Sequence, residues 1–247
     1  MFSPEHRDRL RSTLLDYAAG SQHIVAAAIT GSAAVADEDR WSDIDLAFAV
    51  AAAVPLEHAL AECTDLMYVR HRALHHLDVK AGPWIYRVFL LPDTLQVDIA
   101  LVPAAEFRAL SPAFRLVFGE SQEARFPSPV AADLIGFGWL HALHARASIA
   151  RGKLWQAEYM ITGLRNQALA LACIRHGLPP AHARGVDRLP AVTATKFLDT
   201  LIRSLDPEEL SRAFRLVTLA FLDEMQFADP ALAGRLRGAL IDMTDPG

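Results

Sequence analysis

The sequence predicts an α+β protein, in which an N-terminal domain with a mixed β-sheet is followed by an all-α helical bundle. Short apolar runs bounded by Gly, Pro and polar residues fill the first half, as in strands that alternate with helices. Beyond about residue 130 no convincing strand occurs, and apolar residues recur at helical spacing. A polar segment with two prolines, residues 121–129, separates the halves. We therefore expect two domains, residues 1–125 and 126–247.

Length and composition limit the classes of function. A chain of 247 residues with 52% apolar residues can bury a substantial core, so a folded, helix-rich protein is expected. The net charge of −5 provides no general attraction to phosphate backbones, which disfavours long nucleic acids as partners. Cys63 and Cys173 form no CxxC pattern, so neither a zinc site nor a disulfide framework is predicted. The N-terminus is polar and no apolar run is long enough to span a membrane, so we expect a cytoplasmic protein.

The elements of the first domain follow from local signals. Ser3 and Pro4 are typical of the start of a helix, because Ser caps free N–H groups and Pro suits the first turn. Aromatic and β-branched residues indicate strands between residues 66 and 102. The predicted elements are a helix over 3–19, a strand over 23–30, a short helix over 32–37, a strand over 43–51, a helix over 55–63, strands within 66–102 and a short helix over 105–110.

Only helices are predicted in the second domain. The apolar stripes and the Gly-Leu-Pro-Pro and Asp-Pro breaks predict helices near 130–150, 153–176, 190–204, 207–228 and 230–242. The second of these is apolar on nearly every side, which is typical of the central helix of a bundle.

The stretch 29–50, ITGSAAVADEDRWSDIDLAFAV, carries the clearest chemical signal. Gly31 permits a tight turn from a strand into a helix and close approach of the backbone to a ligand. Ser32 then lies at a helix N-terminus, where free N–H groups favour a phosphate. Asp43 and Asp45 are two residues apart in a predicted strand, so their carboxylates project from the same face. This combination suits Mg²⁺ with a nucleoside triphosphate, although each part alone is usually a turn or a solvated strand end.

Asp98 lies within the apolar run LQVDIALV. A carboxylate there costs several kcal/mol unless it is paired or bound to a metal. On a strand next to Asp43 and Asp45, it would complete a cluster of carboxylates. The alternative is an aspartate on an edge strand that faces water.

The pattern GS-x10-DID resembles the signature of the nucleotidyltransferase fold that DNA polymerase β shares with the antibiotic nucleotidyltransferases. The second glycine that often follows the Gly-Ser is missing from residues 33–41, AAVADEDRW, so a turn there must be made otherwise. The resemblance implies that Asp43, Asp45 and Asp98 bind Mg²⁺. It also implies that Gly31, Ser32 and Ser42 contact the nucleotide.

Glu158 and Arg165 are charges inside the predicted central helix. They project to one side but lie about 10 Å apart along the axis, so each is expected to meet a group from outside the helix. In kanamycin nucleotidyltransferase and related enzymes, a helical Glu takes the proton of the acceptor hydroxyl, which the loose resemblance of EYMITGLRN assigns to Glu158. The alternative for Glu158 is an ion pair with Arg146 or Arg151. Arg165 would contact the triphosphate or, through water, Glu158; the alternative is a structural cation.

The resemblance thus implies transfer of a nucleoside monophosphate to a hydroxyl of a small molecule, with release of pyrophosphate. The group transferred would be AMP from ATP, or the corresponding monophosphate from another NTP, and aminoglycoside or lincosamide antibiotics are candidate acceptors. Two alternatives stay open, namely an antitoxin-like nucleotidyltransferase that modifies or binds a partner protein, and an inactive nucleotide-binding module. The oligomeric state stays open as well.

Overall fold

The chain divides into two compact units, Met1–Pro127 and Ser128–Gly247, each with its own hydrophobic core. The computed structural model describes residues 1–126 and 130–244. Residues 127–129 of the predicted linker therefore lie outside the described part of the chain.

The first unit alternates helices and strands. Its first helix begins after Ser3, whose side chain accepts a hydrogen bond from the backbone N–H of His6. The elements are α1 (Pro4–Gly20), β1 (Ile24–Thr30), α2 (Gly31–Ala34), β2 (Ile44–Val50), α3 (Leu56–His71), β3 (His75–Ala81), β4 (Trp84–Leu90), β5 (Gln96–Pro103) and β6 (Phe114–Phe118).

The six strands form one mixed sheet in the order β3-β4-β5-β2-β1-β6. β2 and β5 are parallel, and every other neighbouring pair is antiparallel. Together with the helical second unit, this sheet confirms the predicted α+β class. It is also the arrangement that the resemblance of the motif to the nucleotidyltransferase fold implies.

The two faces of the sheet differ in what covers them. On one face, large side chains such as Phe48 and Ile99 share a buried cluster with Leu14 of α1 and Met67 of α3. On the other face, alanines of β1, β2 and β5 form a smaller cluster with Trp84 and Phe107. The alternation along each strand assigns Asp45 and Asp98 to this second face.

Three predictions for the first unit were wrong in part. Residues 66–71, predicted as strand, belong to α3, whose buried Ala59, Leu60, Cys63 and Met67 follow a helical spacing. The predicted helix over 105–110 is only a 3₁₀ turn, Ala104–Glu106. The segment 114–118 is the edge strand β6, for which the sequence analysis assigned no element.

The second unit is helical where the sequence predicts helices. Its elements are α4 (Ala131–Ala150), α5 (Leu154–Arg175), α6 (Ala191–Leu198), α7 (Pro207–Ala228) and α8 (Pro230–Asp242). α6 ends six residues before the predicted end at residue 204. α5 packs against α4 and α7 through a buried stripe that includes Ala157, Ile161, Leu164 and Ala168. None of the described helices is long and apolar enough to cross a membrane.

Candidate active site

Three carboxylates meet where β2 and β5 lie side by side. Asp45 is the second residue of β2 and pairs in register with Asp98 on the parallel strand β5. Asp43 lies just before β2 and two residues from Asp45. One carboxylate oxygen from each residue lies within 4.8 Å of those of the other two. This spacing is close enough for the three carboxylates to share a cation. All three residues are half-buried, so a ligand can reach the cluster.

Asp98 has a carboxylate oxygen that its surroundings leave unsatisfied. Its Oδ1 atom is buried and has no hydrogen-bond partner within the described residues. Burial, and then the negative charge of Asp43, raise the pKa of Asp98 to about 6, while the neighbouring Gln96 amide opposes the shift. A buried acceptor without a partner costs free energy that a bound cation would recover.

The donor set fits a hard divalent cation. Carboxylate oxygens are the ligands that Mg²⁺ prefers in proteins, and a two-metal site needs oxygens spaced to bridge ions about 4 Å apart. Gln96 Nε2 donates to Asp43 Oδ2 at 3.1 Å, which orients that carboxylate. No donor from the described residues reaches the Oδ1 atom of Asp98, which leaves this oxygen for a cation.

Gly31 is required beside this cluster for two reasons. Its φ of +65° lies in the left-handed region, where a side chain is strained. A Cβ atom at this position would also overlap the carboxylate of Asp45. The turn from β1 into α2 therefore passes directly against Asp45, and Ser32 follows as the second, half-buried residue of α2.

Arg7 of α1 binds the loop 35–43, which ends at Asp43. This arginine is only 4% exposed, and its Nη1 donates to the carbonyl oxygens of Asp39 (2.6 Å) and Ser42 (3.2 Å). Its Nε lies 3.2 Å from Glu38, which also binds Arg11 at 2.6 Å. Arg7 is not among the residues predicted from the sequence, although it continues the apolar stripe of α1 at helical spacing, where a charge is unexpected.

Ser42 shapes the same loop through Asp39. The hydroxyl of Ser42 donates to Asp39 Oδ1 at 3.1 Å and accepts from the Asp39 N–H at 2.9 Å. Asp39 Oδ1 also accepts from the Trp41 N–H at 2.7 Å, which is the main cause of the lowered pKa of Asp39. Ala36 adopts a φ of +56°, so a non-glycine residue occupies the left-handed region in this loop.

Glu158 and Arg165, in the second unit, are linked by a threonine of their own helix. Thr162 Oγ1 donates to Glu158 Oε1 at 2.9 Å and accepts from Arg165 Nη2 at 2.9 Å. Arg165 Nη1 also donates to the carbonyl oxygen of Thr200 at 3.1 Å, and burial lowers the pKa of Arg165.

These contacts differ from those expected from the sequence. Within residues 1–126 and 130–244, neither Arg146 nor Arg151 forms an ion pair with Glu158. The hydrogen bond to Glu158 comes from inside the helix, and only Arg165 reaches a group outside it. Both residues are half-buried, so the carboxylate of Glu158 keeps an accessible side.

Comparisons with known proteins show a likeness to solved structures and no match elsewhere. No protein-family model matches the chain, and no curated protein matches it. Among solved structures, the chain is similar to an aminoglycoside 6-adenyltransferase from Bacillus subtilis, with 12% sequence identity and a TM-score of 0.43. The match covers 94% of this chain and 96% of the other. The roles of the site residues therefore rest on the geometry described above.

Proposed function

We propose that the protein is a nucleotidyltransferase that moves a nucleoside monophosphate, AMP from ATP or its counterpart from another NTP, to a hydroxyl of a small acceptor. Pyrophosphate is the second product. The observation that carries this proposal is the convergence of Asp43, Asp45 and Asp98, with an unpartnered oxygen on Asp98, beside the turn at Gly31.

Asp43, Asp45 and Asp98 would hold Mg²⁺ through their carboxylate oxygens. When bound, the metal stabilises the negative charge of the triphosphate and of the attacking and leaving oxygens. Asp98, on the neighbouring strand β5, would bind a second metal ion or orient the acceptor.

The turn at Gly31 would receive the phosphates. Without a side chain at Gly31, backbone N–H groups can approach the β- and γ-phosphates, and Ser32 adds a hydroxyl. Ser42 would support the nucleotide indirectly, since its hydroxyl is engaged by Asp39 and fixes the loop in front of Asp43. Arg165 would contact the triphosphate, and its hydrogen bonds to Thr162 and Thr200 hold the guanidinium in place.

Glu158 would act as the general base. In this step the acceptor hydroxyl gives its proton to the Glu158 carboxylate as its oxygen bonds to the α-phosphorus, and the bond to pyrophosphate breaks. Thr162 would hold the Oε1 atom of Glu158, which leaves the other oxygen to accept the proton. If Glu158 does not serve, Asp98 is the next candidate for the base.

The first test is Mg²⁺-dependent binding and transfer. Titration calorimetry with ATP should show binding that requires Mg²⁺, and Asp45→Asn should lower the rate of pyrophosphate release by roughly 10³-fold or more, because a metal ligand is lost. Asp65→Asn, an exposed aspartate on α3, is the matched control and should keep the wild-type rate. Full activity in Asp45→Asn, or ATP binding indifferent to Mg²⁺, would contradict the proposed function.

A further inference from the structure

The face of the sheet that bears Asp45 and Asp98 continues past them onto β4 and β3. Asp98 pairs in register with Val88 of β4, and Val88 pairs with Leu77 of β3. One step further along the strands, Ala100 pairs with Tyr86, and Tyr86 pairs with Val79. The side chains at these positions project on the same side of the sheet as the carboxylate of Asp98.

This extension of the face is apolar and open to solvent. The exposed fractions are 60% for Leu77, 49% for Val79 and 46% for Leu90, while Val88 and Tyr86 are half-buried. We call Leu77, Val79, Tyr86, Val88 and Leu90 the apolar stripe. A contiguous group of exposed aliphatic and aromatic side chains beside polar functional groups is typical of a ligand-binding surface.

The stripe begins directly at the candidate active site. Neighbouring strands lie about 4.8 Å apart, so Val88 is roughly 5 Å and Leu77 roughly 10 Å from Asp98 across the sheet. A hydroxyl placed for transfer must lie at the carboxylate cluster. The rest of a small acceptor that extends toward β3 would then lie on these side chains.

The stripe also lacks the charge that a polycationic acceptor would need. The only acidic residue of β3 and β4 is Asp78, which alternates to the opposite face and binds Arg87 Nε at 2.7 Å. β3 and β4 therefore add no carboxylate to this face, and a bound cation would neutralise the charge of the neighbouring candidate metal cluster.

A separate observation concerns the helix that bears Glu158. Trp155 and Tyr159 lie one turn apart on α5, and their exposed fractions are 76% and 68%. Both belong to the side of α5 that carries Glu158, which is the only acidic residue of this helix. The proposed base is thus flanked by exposed aromatic rings, with no further carboxylate on its helix to recognise amino groups.

We propose that the acceptor of this protein is a hydroxyl-bearing small molecule with an apolar body, which packs on the stripe, and that a polycationic aminoglycoside is not a substrate. This inference rests on the proposed function, because it identifies the second substrate of the same site. The position of Val88 and Leu77 beside Asp98 sets the specificity. These two aliphatic side chains favour the burial of apolar surface and carry no charge that could pair with an ammonium group.

Direct binding tests the stripe without relying on turnover. Saturation-transfer NMR on the full chain would use 4-phenylbutan-1-ol as the probe, with Mg²⁺ and a non-hydrolysable ATP analogue present. We expect transfer to the phenyl protons, and roughly 10-fold weaker binding in the double variant Leu77→Thr, Val79→Thr. Threonine keeps the β-propensity of the strand. Val69→Thr, at a 78% exposed valine of α3, is the matched control and should bind the probe like the wild type.

Turnover then separates the two acceptor classes. Pyrophosphate release from Mg²⁺–ATP should rise with 4-phenylbutan-1-ol and stay at the acceptor-free rate with kanamycin A. In the double variant, the KM for the alcohol should rise roughly 10-fold while kcat changes less than about 2-fold, because the stripe binds the body and not the reacting atoms.

Three results would overturn the acceptor class. One is stimulation by kanamycin A that the double variant does not change, and another is absence of saturation transfer to the alcohol. The third is a dimer in light scattering that the double variant dissociates, since a second copy would then cover the stripe. Calorimetry distinguishes a wrong acceptor class from a wrong proposed function. If only the acceptor class is wrong, the wild type still binds ATP in a Mg²⁺-dependent manner. If the proposed function is wrong, the wild type shows no such binding.

Discussion

The two units contain carboxylates that are withdrawn from water in different ways. In the first unit, Asp98 keeps a buried oxygen without a partner in the described chain, and its pKa rises to about 6. In the second unit, Glu224 is only 3% exposed, yet Arg175 donates to both of its oxygens at 2.8 and 2.9 Å. Burial alone therefore does not separate these two carboxylates. We expect a fixed cationic partner to distinguish a structural carboxylate from a candidate functional one.

Arg175 is itself held in place, since its guanidinium lies 4.4 Å from the ring centroid of Phe227. Both oxygens of Glu224 are thus bound by a cation that is held in place. Glu158 is intermediate, because it is half-buried and has one hydrogen bond, from the neutral hydroxyl of Thr162. If the absence of a bound cationic side chain marks a functional carboxylate, then Glu158, like Asp98, should matter for catalysis. Glu224 should matter only for folding.

The largest expected effect concerns Glu158. Glu158→Gln should lower kcat for transfer by roughly 10²–10⁴-fold, the usual contribution of a general base, because the amide cannot accept the proton. Calorimetry should show unchanged Mg²⁺–ATP binding, and thermal melting should show a stable fold.

The matched variant is Glu224→Gln, in the same unit. It should lower stability while preserving kcat per folded molecule, since Glu224 is already bound by Arg175. Near-normal kcat in Glu158→Gln would remove Glu158 from the mechanism and favour Asp98 as the base.

The next effect is on the free energy of unfolding. Arg175→Met leaves Glu224 buried without its cation, which should destabilise the protein by about 3 kcal/mol or more. Lys196→Met is the control, because Lys196 and Asp223 form an exposed pair at 3.6 Å with both side chains 55% exposed. Its effect should stay within about 1 kcal/mol. Urea denaturation measures the free energy of unfolding of both variants. Equal decreases would show that the buried pair contributes no more to stability than the exposed pair.

Local patterns predicted much of the fold and the positions of the first-unit cluster. Gly31, Asp43 and Asp45 stand in one short stretch, and Asp98 is conspicuous within LQVDIALV. Glycine conformation, the period of two along a strand and the cost of a lone carboxylate are all local arguments, so they can be applied before any tertiary structure is known.

Partners distant in sequence could not be predicted in this way. Arg7 reaches a loop 32 residues away, and Arg175 reaches Glu224 across 49 residues. Which charges meet depends on how the helices pack, and several cations compete for each carboxylate. The same limit applies to β6, because its pairing with β1 supplies the hydrogen bonds that define it as a strand. Helical spacing places Thr162 on the side of Glu158 and Arg165, but the rotamers that let its hydroxyl bridge them depend on packing.

A third prediction uses the pH dependence of stability in metal-free protein. The pKa of Asp98 is raised from 3.8 to about 6 by folding, so the folded state favours the protonated form. The contribution of Asp98 to the free energy of unfolding is therefore fully present below pH 4 and is lost as the pH rises through 6. Asp98→Asn does not titrate, so it should exceed the wild type in stability by about 1–2 kcal/mol at pH 8, a value reduced for partial exposure.

At pH 4 the two proteins should differ little, and chemical denaturation in EDTA at both pH values measures this. Mg²⁺ should narrow the difference at pH 8, since it stabilises the wild-type carboxylate cluster by binding the folded state. A wild type that is more stable than Asp98→Asn at pH 8 without metal would mean that Asp98 has a compensating partner, and the contrast with Glu224 would fail.

The smallest effect tests whether the neutral hydroxyl of Thr162 positions Glu158. Thr162→Val keeps the shape of the side chain but removes the donor to Glu158 and the acceptor for Arg165, while Arg165 retains Thr200. We expect kcat to fall by roughly 3–10-fold, which corresponds to the loss of one hydrogen bond. Stopped assays of transfer should show this fall in the wild-type background and no further fall in Glu158→Gln, because a residue that acts through Glu158 has nothing left to position. Additive losses in the double variant would instead indicate that Thr162 acts through Arg165 or through the packing of α5. The carboxylate of Glu158 would then be oriented by the substrate itself, and its single hydrogen bond would carry no functional meaning.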